Sequence, residues 1–183
     1  MRFGYWPGTS DQTWNELLEG SRYAAATGWD GIWVEDHFMH NQADTSGAKL
    51  ECWAVLAALA MAVPDVRLGN LVCGNTYRHP TLLANIASSV DVISGGRVVL
   101  GIGAGWQENE HTAYGLDFNS VGWRMDRLEE AAQVITSLFA NDKTDFDGEH
   151  YQLVDAPLEP KGYETSPRLM IAGGGEKRTM RIA

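Results

Sequence analysis

The residue pattern predicts an α/β fold, a partial (β/α)8 or TIM barrel with about five βα units, and three observations carry that reading. Apolar strand-like runs alternate with amphipathic helical runs from end to end, which is the order of a parallel sheet. Strands begin near residues 2, 31, 66 and 97, about 30 residues apart, the length of one βα unit. Glycine and polar side chains gather just past the strands, where parallel βα folds place their sites. A doubly wound sheet shares the alternation. The barrel reading expects eight strands, and the chain ends at Ala183, barely two turns into a helix. The expectation is a single domain over residues 1–183, a barrel interrupted after its fifth unit.

Taken in order, Arg2–Trp6 alternates as a first strand. Thr13-Trp14-Asn15-Glu16 has the form of a capping box, in which hydroxyl and carboxylate each satisfy a free backbone N–H. Trp14, Leu17, Leu18 and Ala25 follow at helical spacing until Gly28 stops the helix. Gly31–Glu35 is a strand whose continuous Ile32-Trp33-Val34 run suits burial on both faces. Leu50–Val63 is a second helix, Pro64-Asp65 a turn and Val66–Cys73 a third strand. Thr81–Ile93 carries Leu82, Leu83, Ile86, Ala87 and Val90 on one helix face and closes at Gly95-Gly96. Arg97–Ile102 is a fourth strand, and Met125, Leu128, Ala132, Ile135 and Phe139 mark a long fourth helix. Asp147-Gly148, flanked by aromatics, predicts a small hairpin inserted before the fifth strand, Arg168–Ala172; a fifth helix starts at Glu176.

A net charge of −10 argues against a nucleic-acid partner, which needs clustered positive charge. The longest apolar run, Ala54–Val63, is half the roughly 20 residues of a membrane span, so no membrane partner is expected. The start, Met1–Trp6, lacks the apolar stretch of a signal peptide, and Cys52 and Cys73 read as reduced core thiols. Together these predict a cytoplasmic protein acting on a small molecule, with homo-oligomerisation open. His40, His111 and His150 have no second ligand at metal spacing; no metal site is predicted, and they are read as surface or loop histidines.

Asp36-His37, past the second strand, sets a carboxylate beside an imidazole and makes both candidate catalytic groups, suited to moving a proton or to hydrogen-bonding a reactive ring. Glu35 would point the other way. Past the fifth strand, Gly173-Gly174-Gly175 lets the backbone approach a ligand closely. Lys177, Arg178 and Thr179 then fill the first turn of a helix, where cations are unfavourable unless an anion is present. Residues 161–183 hold five cations against two carboxylates, net +3, so the rest of the chain is net −13. A bound phosphate explains both features; a tight turn with solvated charges is the alternative. Gly101-Ile102-Gly103-Ala104-Gly105-Trp106 fails the dinucleotide fingerprint, having Trp106 at its last position and following the fourth strand. Trp106 walls a flat aromatic ligand or packs on the barrel rim. Glu108 and Glu110 read as first-turn carboxylates favoured by the helix dipole before they read as an acid–base pair.

Five segments stand together in one order: Gly31–Phe38, Gly74–Pro80, Ile93–Arg97, Leu100–Trp106 and Ile171–Thr179. In this the chain resembles the luciferase-like monooxygenase family, and most its branch using the deazaflavin coenzyme F420. The resemblance implies an eightfold barrel with the flavin or deazaflavin ring at the strand C-terminal ends. It implies that Asp36 and His37 lie near the reactive ring edge, with His37 a candidate acid–base or intermediate-stabilising group. It implies cofactor contacts from Asp36, Leu71, Val72, Gly74, Asn75, Thr76, Gly105 and Trp106, with a non-proline cis peptide at Leu71–Val72. Gly173, Gly174, Gly175, Glu176, Lys177, Arg178 and Thr179 are implied to hold the cofactor phosphate. Trp106 stands where some deazaflavin dehydrogenases carry a catalytic glutamate, which speaks against a sugar-phosphate substrate.

Three activities stay open at this point. One is F420-dependent hydride transfer to or from a small organic substrate. Another is an FMN-dependent monooxygenase of the luciferase or alkanesulfonate type. The third is a barrel fragment that binds cofactor weakly or pairs with another chain through the open edges of its first and fifth strands.

Overall fold

The computed structural model describes residues 1–183. In chain order the elements are β1 (Gly4–Tyr5), α1 (Trp14–Ala26), β2 (Gly31–Val34), α2 (Cys52–Ala62), β3 (Arg67–Asn70), β4 (Cys73–Gly74), α3 (Pro80–Ser94), β5 (Val98–Gly103), α4 (Glu108–Tyr114), α5 (Val121–Ala140), β6 (Lys143–Asp147), β7 (Gln152–Pro157), β8 (Arg168–Ile171) and α6 (Arg178–Ile182). Local chemistry sets the helix ends. Glu16 Oε2 accepts the Thr13 N–H at 2.7 Å while Thr13 Oγ1 accepts the Glu16 N–H, so the capping box closes α1. Pro80 opens α3 after the His79 cap, and Gly95, at φ 71°, ends it in a left-handed conformation that Cβ-bearing residues avoid.

The main sheet runs β1-β2-β3-β5-β8, with β4 also paired to β5, and every pair is parallel. Its strands succeed one another as the first five staves of a (β/α)8 barrel do. The helices cover the outer face: Leu17, Leu56, Leu59, Leu83, Leu128, Ile135 and Leu138 pack with Ile32, Val34, Leu68, Leu100 and Ile102 in one core. Each such side chain contributes about 1.5–3 kcal/mol on burial. All six residues of β5 are buried, as a central parallel strand requires. Inside the curve, Trp33 lies against Gly4 and Gly69 of the flanking strands, where a Cβ would overlap its indole. No helix is long and apolar enough to cross a membrane.

Three elements differ from the sequence reading. Val66–Cys73 is not one strand. β3 pairs Leu68 with Val98, but β4 pairs Cys73 with Ile102, so one extra residue has entered the strand between them. Across this bulge the Asn70 side chain replaces the ladder, its Oδ1 accepting the Gly101 N–H at 2.9 Å and its amide donating to the Gly101 carbonyl. The Leu71–Val72 peptide, at the bulge, is cis. Second, Glu108–Tyr114 forms a separate helix, α4, ahead of the long one. Third, the hairpin predicted around Asp147-Gly148 is long, pairing Lys143–Asp147 with Gln152–Pro157. Its turn is tied to α5 by the Glu130 carboxylate, which accepts N–H groups of Glu149, His150 and Tyr151 at 2.9, 2.9 and 3.1 Å.

Candidate active site

The C-terminal ends of β2, β4, β5 and β8 open onto a cavity of about 780 Å³, walled by His37, Leu71, Val72, Tyr77, Trp106, Met125 and the run Gly173–Gly175. His37 follows β2, and its side chain is 17% exposed. Its Nδ1 lies 2.7 Å from Glu110 Oε1, and its ring meets the Trp106 indole edge-on at 5.3 Å. Glu110 is wholly buried; besides His37 it accepts the Phe38 N–H at 2.9 Å and the Tyr77 hydroxyl. Burial opposes the Glu110 charge most strongly, but hydrogen bonds from His37, Tyr77 and the Phe38 N–H outweigh it and hold its pKa below the usual carboxylate range. Burial, and then the Glu110 carboxylate, push the Tyr77 phenol far upward, so it stays a proton donor.

Asp36 and His37 do not form a couple. Asp36 has a fully buried side chain and is clamped by Arg78, which donates at 2.6 and 3.0 Å and also reaches Glu51 at 2.6 Å. Neighbouring residues leaving a strand point to opposite sides, and the guanidinium fork satisfies both Asp36 oxygens away from the cavity. The carboxylate on His37 belongs instead to Glu110, brought by α4 from 73 residues along the chain. Glu35 is held by Trp6, Thr9 and Lys49.

The other expected residues fall into three groups. Leu71, Val72, Gly74, Gly105, Trp106, Gly173, Gly174, Gly175, Arg178 and Thr179 line the cavity. Gly74 leaves room for the Tyr77 ring, and Gly105, at φ 81°, turns the chain beside Thr76. Asn75 and Thr76 are turned inward: the Asn75 amide donates to the Tyr151 hydroxyl at 3.2 Å, and Thr76 Oγ1 lies 2.6 Å from His111 Nε2. Glu176 and Lys177 are exposed and off the cavity wall. The cation surplus near residue 178 has a partner within the chain. Arg178 donates to Asp126 and, at 3.0 Å, to Glu129, which Arg181 also reaches. Carboxylates of α5 therefore answer the charge that the residue order alone assigned to a phosphate.

His111 is fully buried, not at the surface. Its Nδ1 donates to the Gln107 carbonyl at 2.7 Å, which leaves Nε2 to accept the Thr76 hydroxyl, and Tyr77 and Phe118 flank the ring. Tyr77 is not singled out by sequence reasoning, which also reads Glu110 as a first-turn carboxylate before an acid–base group and His111 as a surface or loop histidine. Glu110 and His111 sit on a helix too short to show periodicity, and their partners are remote in sequence.

A flat ring finds a matching host here. The volume lies within the range of small-molecule sites, one wall is apolar with Leu71 and Trp106 exposed to it, and Gly173–Gly175 present bare backbone. A Cβ at Gly174 would meet nothing within 4 Å, which leaves that backbone open to a ligand.

Five parallel staves with a polar-edged cavity at their C-terminal mouth define a partial (β/α)8 barrel, with the cavity where such folds place their sites. The chain belongs to the luciferase-like monooxygenase family, which matches residues 1–183. It is similar to an F420-dependent glucose-6-phosphate dehydrogenase of Amycolatopsis mediterranei (strain U-32), 30% identical over 177 residues, covering 95% of this chain and 52% of that protein. Pyrimidine monooxygenase RutA of Stutzerimonas stutzeri (strain A1501) is 33% identical over 129 residues, 69% of this chain and 35% of that one. Among solved structures, an F420-dependent secondary alcohol dehydrogenase in complex with an F420-acetone adduct matches with a TM-score of 0.84 at 28% identity, over 94% of this chain and 52% of that one. The chain spans about half the length of the curated relatives it matches.

Proposed function

We propose that the chain carries the cofactor ring site of an oxidoreductase that uses F420 to move a hydride to or from a small organic substrate. The observation that carries this is His37 on the cavity wall, its Nδ1 held by the ionised, buried Glu110. When bound, the deazaflavin supplies the carbon that gives or takes the hydride. Leu71, Val72 and Trp106 hold the ring plane, Gly173–Gly175 with Thr179 receive the phosphate through backbone and hydroxyl, and His37 handles the proton that accompanies hydride transfer. Asp36 acts at one remove, its clamp on Arg78 fixing the end of β2 from which His37 departs.

The cavity also speaks to the substrate. Trp106, Val121 and Met125 add apolar lining, and its one cation, Arg178, is already paired. This supports a small apolar alcohol or carbonyl compound over a sugar phosphate.

Titration calorimetry with F420 and with FMN tests the cofactor, and anaerobic reduction of F420 by secondary alcohols tests the reaction. Binding of F420 is expected, together with a large loss of turnover in His37→Asn at near-normal F420 affinity. The likeness to RutA supports a second reading, an FMN-dependent monooxygenase. Oxygen-dependent turnover with FMN and none with F420 would select it. No heat with either cofactor from a folded chain would select a non-catalytic role.

A further inference from the structure

We propose that Glu110 is a positioning residue that fixes the tautomer of His37, so that Nδ1 carries the hydrogen and Nε2 is the nitrogen offered to the cavity as a proton acceptor. This rests on the reading of His37 as the proton-handling group. The two Glu110 oxygens meet three donors: Oε2 accepts the Phe38 N–H at 2.9 Å, and Oε1 faces His37 Nδ1 at 2.7 Å together with the Tyr77 hydroxyl. An ionised carboxylate only accepts, so Nδ1 must bear a hydrogen, and a neutral imidazole then leaves Nε2 bare. Burial resists that ionisation, yet the three donors keep Glu110 charged. Tyr77 offers no alternative partner, because its hydroxyl is 3.5 Å from Nδ1 and its proton is directed at Glu110. Trp106 packs edge-on against the ring at 5.3 Å.

The arrangement makes the outcome of one isosteric change definite. In Glu110→Gln, the Phe38 N–H is a backbone donor that cannot reverse, so it retains the amide oxygen. The NH2 then takes the place of Oε1 and donates to whatever faces it. Tyr77 can turn its hydroxyl to accept; His37 can accept only by surrendering the Nδ1 hydrogen, which moves to Nε2. The variant keeps the shape of the site and inverts the tautomer.

Long-range proton–nitrogen NMR on the chain with ¹⁵N-labelled histidine rings, at about pH 9 where an ordinary imidazole is neutral, reads this directly and needs no cofactor. The signals of His37, one of five histidines, are assigned by their loss in His37→Asn. The wild type should show the Nδ1–H form, Glu110→Gln the Nε2–H form, and Tyr77→Phe the Nδ1–H form still. An Nε2–H wild type, or a folded Glu110→Gln that keeps Nδ1–H, overturns the proposal; if Glu110→Gln does not fold, the wild-type and Tyr77→Phe spectra decide. In turnover, Glu110→Gln should lose about 100-fold or more in kcat, the scale of a positioned acid–base group, with F420 affinity unchanged. Nδ1–H in the wild type beside undiminished turnover in His37→Asn would remove the proton role of His37 and leave the tautomer assignment standing.

Discussion

Glu35 and Asp36 leave β2 side by side, and each meets a cation on its own side of the sheet. Glu35 is buried among the Trp6 indole N–H, the Thr9 N–H and hydroxyl, and Lys49 Nζ at 2.9 Å. Burial is the largest influence on it and opposes its charge, but Lys49 and Thr9 overcome burial and lower its pKa from 4.5 to about 2. A carboxylate with a depressed folded pKa stabilises fully above about pH 4.5 and loses that contribution as the pH falls toward 2. Glu35→Gln should therefore flatten the acid limb of stability in that window and cost on the order of 3 kcal/mol near neutrality, because Lys49 is left without its partner. Urea titrations across pH measure both, and an unchanged acid limb would refute the clamp. Arg178 is a milder case. Its pairs with Asp126 and Glu129 are partly exposed, so Arg178→Ala should cost less than about 1 kcal/mol. Because those carboxylates already answer its charge, the same change should leave F420 affinity and its salt dependence nearly unchanged; a marked loss of affinity would put Arg178 in the phosphate site. At this scale His37 was legible, since a polar residue just past a buried strand stands where barrel sites are built. Its carboxylate was not. Asp36 adjoins it in sequence but faces away, and Glu110 reaches it only once α4 has folded across the barrel mouth.

The strands show the same division one level up. Starts, stops and order of the βα units follow from local chemistry: the Thr13–Glu16 box, Pro80 with its His79 cap, and the left-handed Gly95 all act within a few residues of themselves. The break between β3 and β4 is not marked by a proline, so Val66–Cys73 reads as one strand. It depends on Asn70 lying opposite Gly101, where its amide satisfies both backbone groups that the bulge has unpaired. Asn70→Ala should leave those buried groups without partners and cost about 3 kcal/mol. Leu71 and Val72 sit on the cavity wall just past it, so F420 affinity should fall with stability. Thermal melts and calorimetry on the same samples check the pair. Stability lost at full affinity would separate the bulge from the ring site.

Over the whole molecule, the sheet is protected in its middle and open at its sides. β1 is bonded only to β2, and β8 only to β5, while β5 has neighbours on both sides and six buried residues. Amide hydrogen exchange should be slowest across Val98–Gly103 and fastest in Gly4–Tyr5 and Arg168–Ile171, since edge strands open without unfolding the core. β8 amides as slow as those of β5 would mean that its edge is covered in solution. The βα class was decided by the amino-acid order alone, because hydrophobic period and turn residues are short-range properties, and a parallel sheet built from 30-residue units leaves few topologies. Tertiary structure alone decided which charges met: Glu110 with His37, Arg78 with Asp36, Asp126 and Glu129 with Arg178. Coulomb and hydrogen-bond energies depend on distances of a few ångströms, and between residues tens of positions apart those distances come into being only when the chain closes on itself.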